Sequence, residues 1–570
     1  MFNIKDDCLT ERKGGGDTPA APTPQRSAAI PAAMLTGLLP ACGGGSNPAA
    51  GPASPPPLTK EPVTAERAAR FLAQASMGAT REQISMVQSL GYEGWLDEQF
   101  ALPPSLSRWD WLVAKGFDAP GNVATEAGAD ACQWRKLLAS HDTLRQRVTL
   151  ALSEILVTSI DAFNVGGWGA FSAAAYLDLL ETNAFGNYRS LLQQISLSAP
   201  MGEFLTYRGS VKFNPDTRSI PDENYARELM QLFTIGLVEL NLDGTVRQRD
   251  GKARETYTQA DVTGLARVFT GWTYDMAGAG AESPSFKRRP MRQNPEAHEG
   301  GSKTFLGGTI PAGVDGAASM TQALDTLFAH PNVAPFISRQ LIQRLVCSNP
   351  SPAYVARVAA TFNNNGIGVK GDMKAVIKTI MLDHEARSDA YLNLSTSGKL
   401  REPILRLCAW GRAFAAVSSS DAWDIGNLSD PTLSFGQSPL RAASVFNFFR
   451  PGYVPPNTAI ARAGLVAPEF QITNETTVVG YVNCIHAMIV NGAGDVKADY
   501  SSLTPLADNA SKLLDEINLV LAAGQLSPRT IALIRSSIDG MPGGSDSARR
   551  ARIHAALVMT MAAPEFIVQK

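Results

Sequence analysis

From Thr64 onward the chain is a succession of amphipathic helical segments with almost no period-two alternation, and this pattern constrains the fold more than any other feature. Apolar residues that recur every three to four positions must bury one stripe of each helix against a neighbour. The first segment shows the signals together: Thr64 offers an N-cap hydroxyl, Glu66 lies in the first turn, and Ala68, Phe71, Leu72 and Ala75 form the stripe. Over 142–159, Leu144, Val148, Leu152 and Ile155 repeat at the same spacing. The same reasoning predicts helices over 170–181, 188–196, 224–236, 259–272, 321–330, 333–347, 352–363, 373–383, 403–416, 438–448, 473–490, 507–522, 527–537 and 548–561. One short hairpin is expected at 302–307, and long loops at 276–315 and 418–437. The expected fold class is all-α: a large multi-helix domain with long loops, at most one or two short hairpins, and roughly 55–60% helix. No internal repeat is visible, which argues against a solenoid.

Hydrophobic residues at 44% and charged residues at 18% fit a globular body. Lys+Arg 51 against Asp+Glu 53 leaves no basic excess to neutralise phosphates, so nucleic acid is not an expected partner. No CxxC pair occurs among the six cysteines, which excludes zinc-ribbon and thioredoxin chemistry. Cys132, Cys347, Cys408 and Cys484 are compatible with buried thiols or with one or two disulfides.

The N-terminal segment reads as an address. Arg26 flanks a short apolar stretch, Ser27 to Ala41, too short to span a bilayer as a helix. It ends in Leu39-Pro40-Ala41-Cys42, which resembles a bacterial lipobox, with Cys42 as the lipidated residue. Pro40 departs from the usual box, and Asp6, Asp7, Glu11 and Asp17 are unusual in a leader. Residues 1–42 are therefore expected to be a signal peptide, 43–62 a Gly/Pro/Ala/Ser-rich tether, and 63–570 one family-length helical domain or two subdomains. The expected location is the cell envelope, with the lipid as the only membrane attachment.

Six strings carry a family resemblance: Leu144-Arg-Gln-Arg-Val148; Pro221 to Gly236; Tyr257 to Val262, continuing to Thr270-Gly-Trp272; His298 to Gly307; Arg339-Gln-Leu-Ile342; and Ser444 to Tyr453. In this order they resemble the bacterial family catalogued as "domain of unknown function 1800", over roughly Glu66 to Lys570. The resemblance implies an exported, largely helical protein with no assigned reaction. It also implies a partner from a second exported family, "domain of unknown function 1501". The chain departs from the common family pattern at Gln231 and Gln259, where many relatives carry Glu, and at Phe233, where some carry His. If those positions ligate a metal in relatives, this chain has fewer ligands.

Several polar residues in the strings could carry chemistry. On the helix after Pro221, Ala226, Leu229, Met230, Phe233 and Leu237 mark the buried stripe, Glu223 and Arg227 lie one turn apart on its flank, and Asn224 and Glu228 are expected to point further out. Glu223 and Arg227 form either a simple ion pair or a carboxylate presented to a cleft. Thr258 and Asp261 have capping-box spacing, and Asp261 is either a cap or a catalytic acid. His298-Glu-Gly-Gly-Ser-Lys303 is either a turn with a surface His or a site. In the latter, His298 is a general base or metal ligand, Lys303 an anion contact, and Gly300 and Gly301 let backbone approach a ligand. Trp272 is a core anchor or a binding residue, and the Phe446, Phe448, Phe449 and Tyr453 cluster is core or a stacking surface. His384 reads as a satisfied histidine at a helix end.

Two functions follow from these observations. One is an envelope binding or assembly protein acting with another exported protein, with Glu228, Lys303 and Trp272 among its contacts. The other is an exported hydrolase-type enzyme in which Glu223, Arg227, Asp261 and His298 share a cleft, with a divalent metal, if present, on His298 and Glu223. HExxH, GxSxG and a Rossmann-type GxGxxG, set between a strand and a helix, do not occur.

Overall fold

A computed structural model describes residues 62–280 and 282–570. The segments expected to be a signal peptide with a lipobox-like end at Cys42, and nearly all of the expected tether, lie outside the described residues. Helices account for 52% of the chain, and the strands are short two-stranded antiparallel pairs, so the fold is mostly all-α. Among the described residues, no helix is long and apolar enough to cross a membrane.

The helix Thr143–Ser153 lies at the centre. Every residue from Thr143 to Leu152 is buried, including Arg145, Gln146 and Arg147. It packs on Gly169–Thr182, whose Ala- and Leu-rich surface is apolar nearly all round and touches Arg108–Ala114, Ala129–Ala139 and Tyr188–Leu197 as well. A helix wrapped by neighbours needs an apolar stripe wider than one face, and this one has it. Val333–Leu345 packs against the central helix and against Pro352–Asn363, which in turn meets Met373–Leu382. Toward the end of the chain, Ala510–Ala522 and Asp546–Ala562 pack together and onto Ala65–Ala75 and Glu475–Asn491. One buried apolar cluster runs from Ala68 to Phe566.

Local signals set most helix starts. Thr64 Oγ1 accepts from Arg67 N at 3.2 Å, and Thr258 with Asp261 completes a capping box. The sequence pattern did not reveal Arg81–Ala101, Arg108–Ala114 or Ala129–Ala139. Gly91, at φ 72°, breaks the first of these in the middle and so breaks its periodicity.

Other expectations need correction. The segment 438–448 is not helical: Leu440 and Asn447 take positive φ, Leu440 O accepts from Ile160 N at 2.9 Å, and Arg441 pairs with Glu126 and Asp130. Long-range bonds override its helix propensity there. Two short hairpins form, 248–249 with 252–253 and 303–305 with 308–310, within the expected one or two; among the described residues three further strand pairs, not expected, join distant segments, 272–273 with 292–293, 399–400 with 568–569, and 417–418 with 496–497. Such two- and three-residue strands are too short to show alternation. The helix from Asn224 stops at Gln231, leaving Leu237 exposed. Phe449 is buried, while Phe446, Phe448 and Tyr453 are half-buried. Cys132, Cys347, Cys408 and Cys484 are all free thiols.

Candidate functional site

The helix Gln259–Ala266 organises the residues singled out in the sequence, because its faces meet different neighbours. Gln259 and Thr263 are one turn apart and face Glu223. Thr263 Oγ1 donates to Glu223 Oε1 at 2.7 Å, Gln259 Nε2 donates to Glu223 Oε2 at 2.8 Å, and Arg227 Nη2 donates to Glu223 Oε2 at 3.2 Å and to Gln259 Oε1 at 3.0 Å. Glu223, Arg227, Gln259 and Thr263 thus form a closed hydrogen-bonded ring at a half-exposed site, where an ion pair contributes less than about 1 kcal/mol.

Asp261 is rotated about 200° from Gln259 on the same helix, at about 100° per residue. Its Oδ2 accepts from Thr258 N and Thr258 Oγ1, both at 2.7 Å, and its Oδ1 accepts from Leu306 N at 2.6 Å. Burial opposes ionisation, but these hydrogen bonds outweigh it and hold the carboxyl below its usual range. Gly264 lies on this side too: a Cβ there would fall 1.8 Å from Thr304 O, so the helix rests directly on the 303–310 hairpin.

His298 sits beyond the far end of this helix, where its ring meets Thr270, four residues past Ala266. It is buried rather than at the surface. Its Nδ1 lies 3.0 Å from Thr270 O, so Nδ1 carries the proton, and in the neutral ring Nε2 is a buried acceptor with no partner. Burial lowers the pKa of His298 and also that of Lys303, whose ammonium has one long bond, 3.4 Å, to Gly301 O. Arg267 organises the loop, donating to Ser302 O at 2.9 Å and pairing with Glu299 at 3.3 Å. Trp272 is buried, with its indole N–H unpartnered, and stands opposite Gln293 across a strand pair. Among the described residues, no hydrogen bond or ion pair joins His298 to Glu223, Arg227 or Asp261.

Glu228 does not point outward as expected. After Gln231 the chain turns back, with Leu232 N and Phe233 N both bonding Glu228 O, and the side chain is buried with Oε2 unpartnered. Burial pushes its carboxyl up to about 7. Burial also raises the nearby Tyr257 phenol to about 12, helped by the Glu228 charge.

A second polar cluster, buried in the interior, joins strings that are far apart in the chain. Arg147 Nη2 donates to Arg344 O at 2.6 Å, and Lys399 Nζ donates to the same carbonyl at 2.8 Å. The Arg344 guanidinium lies 4.7 Å from the Phe449 ring centroid, and Gln343 Nε2 reaches Pro451 O at 3.3 Å. Three carboxyls complete the cluster: Glu154, 3.6 Å from Arg344; Glu469, 3.0 Å from Lys399; and Glu402, which accepts from Gln437 at 2.7 Å. The family described as "Protein of unknown function (DUF1800)" matches residues 70–568. The chain belongs to this family. No curated protein and no solved structure matches it.

The DUF1800 match spans both the Gln259–Ala266 region and this interior cluster. Glu154, Lys399, Glu402 and Glu469 were not singled out in the sequence, yet a signal existed. Arg145-Gln-Arg147 interrupts an otherwise apolar helix, and Lys399-Leu-Arg-Glu402 crowds three charges before the Pro403 that opens the next helix. Charges placed so must find buried partners. Asp383, His384 and Glu385 also approach one another, with one ligand atom of each within 4.8 Å. Arg357 already holds both carboxylates, at 2.6 and 2.8 Å to Asp383 and 3.1 Å to Glu385, and Ser351 donates to Glu385. This group is better built as an ion-pair knot than as a metal centre.

Proposed function

We propose that this DUF1800 chain is an exported, lipid-anchored binding protein of the bacterial envelope that holds a second exported protein. Cys42 and the tether that follows it support the anchor, and the resemblance described above points to a partner of the "domain of unknown function 1501" type. The observation that carries the reading is an exposed hairpin over residues 211–220. Asn214 pairs with Ser219, and Val211, Phe213 and Ile220 are 43%, 49% and 66% exposed around that pairing. Its base is strapped to the candidate residues: Gly209 N donates to Trp272 O, and Lys212 N to Ala297 O, at 2.7 and 2.8 Å. Three large apolar side chains exposed around one turn form a contact patch, and each contributes about 1.5–3 kcal/mol when fully covered. Meanwhile Glu223, Arg227 and Asp261 are engaged internally. The test is co-purification from native envelope. Replacing Phe213 and Ile220 with Glu is expected to abolish recovery of the partner with thermal stability unchanged, and unchanged recovery would overturn the reading.

One feature favours the alternative, an exported enzyme. His298 is held by Thr270 O so that Nε2 offers a free lone pair, the arrangement of a general base or a metal ligand. Elemental analysis of the purified chain separates the two: stoichiometric metal that is lost in His298→Asn supports the enzyme.

A further inference from the structure

Beside the Ala65–Ala75 helix is a cavity of ≈ 350 Å³, within the range of small-molecule sites. A neighbouring cavity of ≈ 490 Å³ shares Arg70 and Leu392 with it. The charges around the smaller cavity do not balance. Arg70 is buried; it pairs with Asp389 at 2.9 Å and donates to Arg387 O, but its Nε–H has no partner. Arg387, whose carbonyl accepts from Arg70, is buried behind the lining; its Nη2 donates to Gln74 and its guanidinium lies over the Phe71 and Tyr92 rings, while Nε and Nη1 have no hydrogen-bond partner, and burial together with the Arg70 charge lowers its pKa to about 10. Arg339 lines the cavity without any carboxylate acting on it. On the acidic side, Asp389 is shared with Arg67, and the acidic side chain lining this cavity, Glu385, is tied to Arg357 and Ser351; Lys570 lines it too, its ammonium donating to Leu392 O at 2.7 Å and its backbone oxygen accepting from Gln74.

Elsewhere the lining sets the hydroxyls of Ser388, Tyr391, Thr396 and Ser397 among apolar residues such as Val346, Leu394 and Leu465. Guanidinium groups recognise oxyanions through paired N–H donors, and a wall of hydroxyls recognises hydroxyls. We propose that this cavity binds a hydroxylated organic anion, a monosaccharide carrying a carboxylate or a phosphate, with the oxyanion on Arg339 and the hydroxyls on the serine- and threonine-lined wall. The site is separate from the 211–220 hairpin and does not depend on the partner protein.

Isothermal titration of the full-length protein tests this with four probes: glucuronic acid, glucose 6-phosphate, glucose and inorganic phosphate. At least one of the two sugar anions is expected to bind, and the stronger of the pair identifies the oxyanion. Glucose and inorganic phosphate should bind at least about tenfold more weakly, since each lacks half of the recognition. Arg339→Gln should weaken the sugar anion by about tenfold or more, the effect of one charge-assisted hydrogen bond, and Arg339→Lys should restore part of it. Because Arg339 is held by no carboxylate among the described residues, the melting temperature of the unliganded variants should match that of the natural chain. Failure of both sugar anions to bind, equal binding of glucose or of inorganic phosphate, or unaltered binding by Arg339→Gln would each overturn the proposal.

Discussion

Glu154 and Glu402 are buried carboxyls that face one another's charge in the interior, and their surroundings favour one proton between them. With both ionised, Glu154 Oε1 and Oε2 and Glu402 Oε1 would lack any donor. Burial and the Glu402 charge raise the Glu154 carboxyl well above its ordinary range. Burial works against ionisation of Glu402 as well, but the Glu154 hydrogen bond and the charges of Lys399 and Arg147 hold it down to about 2. Glu154 is therefore the donor and Glu402 the anion.

This relationship sets a pH profile. Below the ordinary glutamate value of 4.5 the unfolded chain carries a proton on each residue and the folded chain only one, so stability rises with pH. Above it the unfolded chain carries none and the folded chain still carries one, so stability falls with pH. Each limb has a slope of at most about 1.4 kcal/mol per pH unit. Glu154→Gln keeps an N–H donor for Glu402 and removes the falling limb, so it should stabilise the chain at neutral pH, with the gain shrinking toward acid. Glu402→Gln strips the anion facing Lys399 and Arg147 and should cost about 3–5 kcal/mol. Urea unfolding between about pH 4 and pH 8 checks both, and pH profiles parallel to the natural chain's would refute the shared proton.

Glu228 makes a related prediction with a single limb. Its carboxyl is raised to about 7 from 4.5, so its contribution is fully present below pH 4.5 and is lost as pH rises through 7. Glu228→Gln should match the natural chain in acid and exceed it by on the order of 3 kcal/mol at pH 8. A chemical-shift titration of the Glu228 carboxyl gives an independent reading: a midpoint near that of free glutamate would contradict the burial argument.

The contrast between these residues shows what the sequence makes legible. The Thr64 and Thr258 caps, the stripe of Ala226, Leu229 and Met230, and the Glu223–Arg227 pair depend on residues within one or two turns, and all are present as expected. The burial of Glu228 escapes helical periodicity because it depends on where the chain goes after Gln231. Glu154 and Glu402 escape it because each is defined by a partner nearly 250 residues away. The segment 438–448 has helical spacing, but its backbone is committed to Ile160 and its Arg441 to Glu126 and Asp130. Local periodicity carries none of that information.

Close approach at Gly264 leads to a stability prediction for the candidate region. Gly264→Ala would place a methyl 1.8 Å from Thr304 O, a backbone atom that cannot swing away. The Gln259–Ala266 helix would have to lift off its hairpin, at about 3 kcal/mol. Gly300→Ala is the control. A methyl at Gly300 would meet nothing within 4 Å and its φ is not left-handed, so the change should be within about 0.5 kcal/mol of neutral. Thermal unfolding of the two variants should differ clearly, and equal melting temperatures would refute the close packing.

His298 makes the last prediction, of opposite sign to Glu228. Burial lowers its pKa from the ordinary 6.5, although the Thr270 carbonyl partly opposes this by favouring the charged ring. Below pH 6.5 the unfolded chain takes up a proton that the folded chain resists, so this residue removes stability as the solution is acidified. Asn keeps an N–H near the position of Nδ1, able to donate to Thr270 O, and does not titrate. His298→Asn should therefore flatten the loss of stability between pH 6.5 and the lower folded value while leaving stability at pH 8 little changed. An acid limb as steep in the variant as in the natural chain would place the titration elsewhere. His330 and His554 are half-buried and lowered in the same direction, so His330→Asn and His554→Asn are the comparisons that assign the limb to His298.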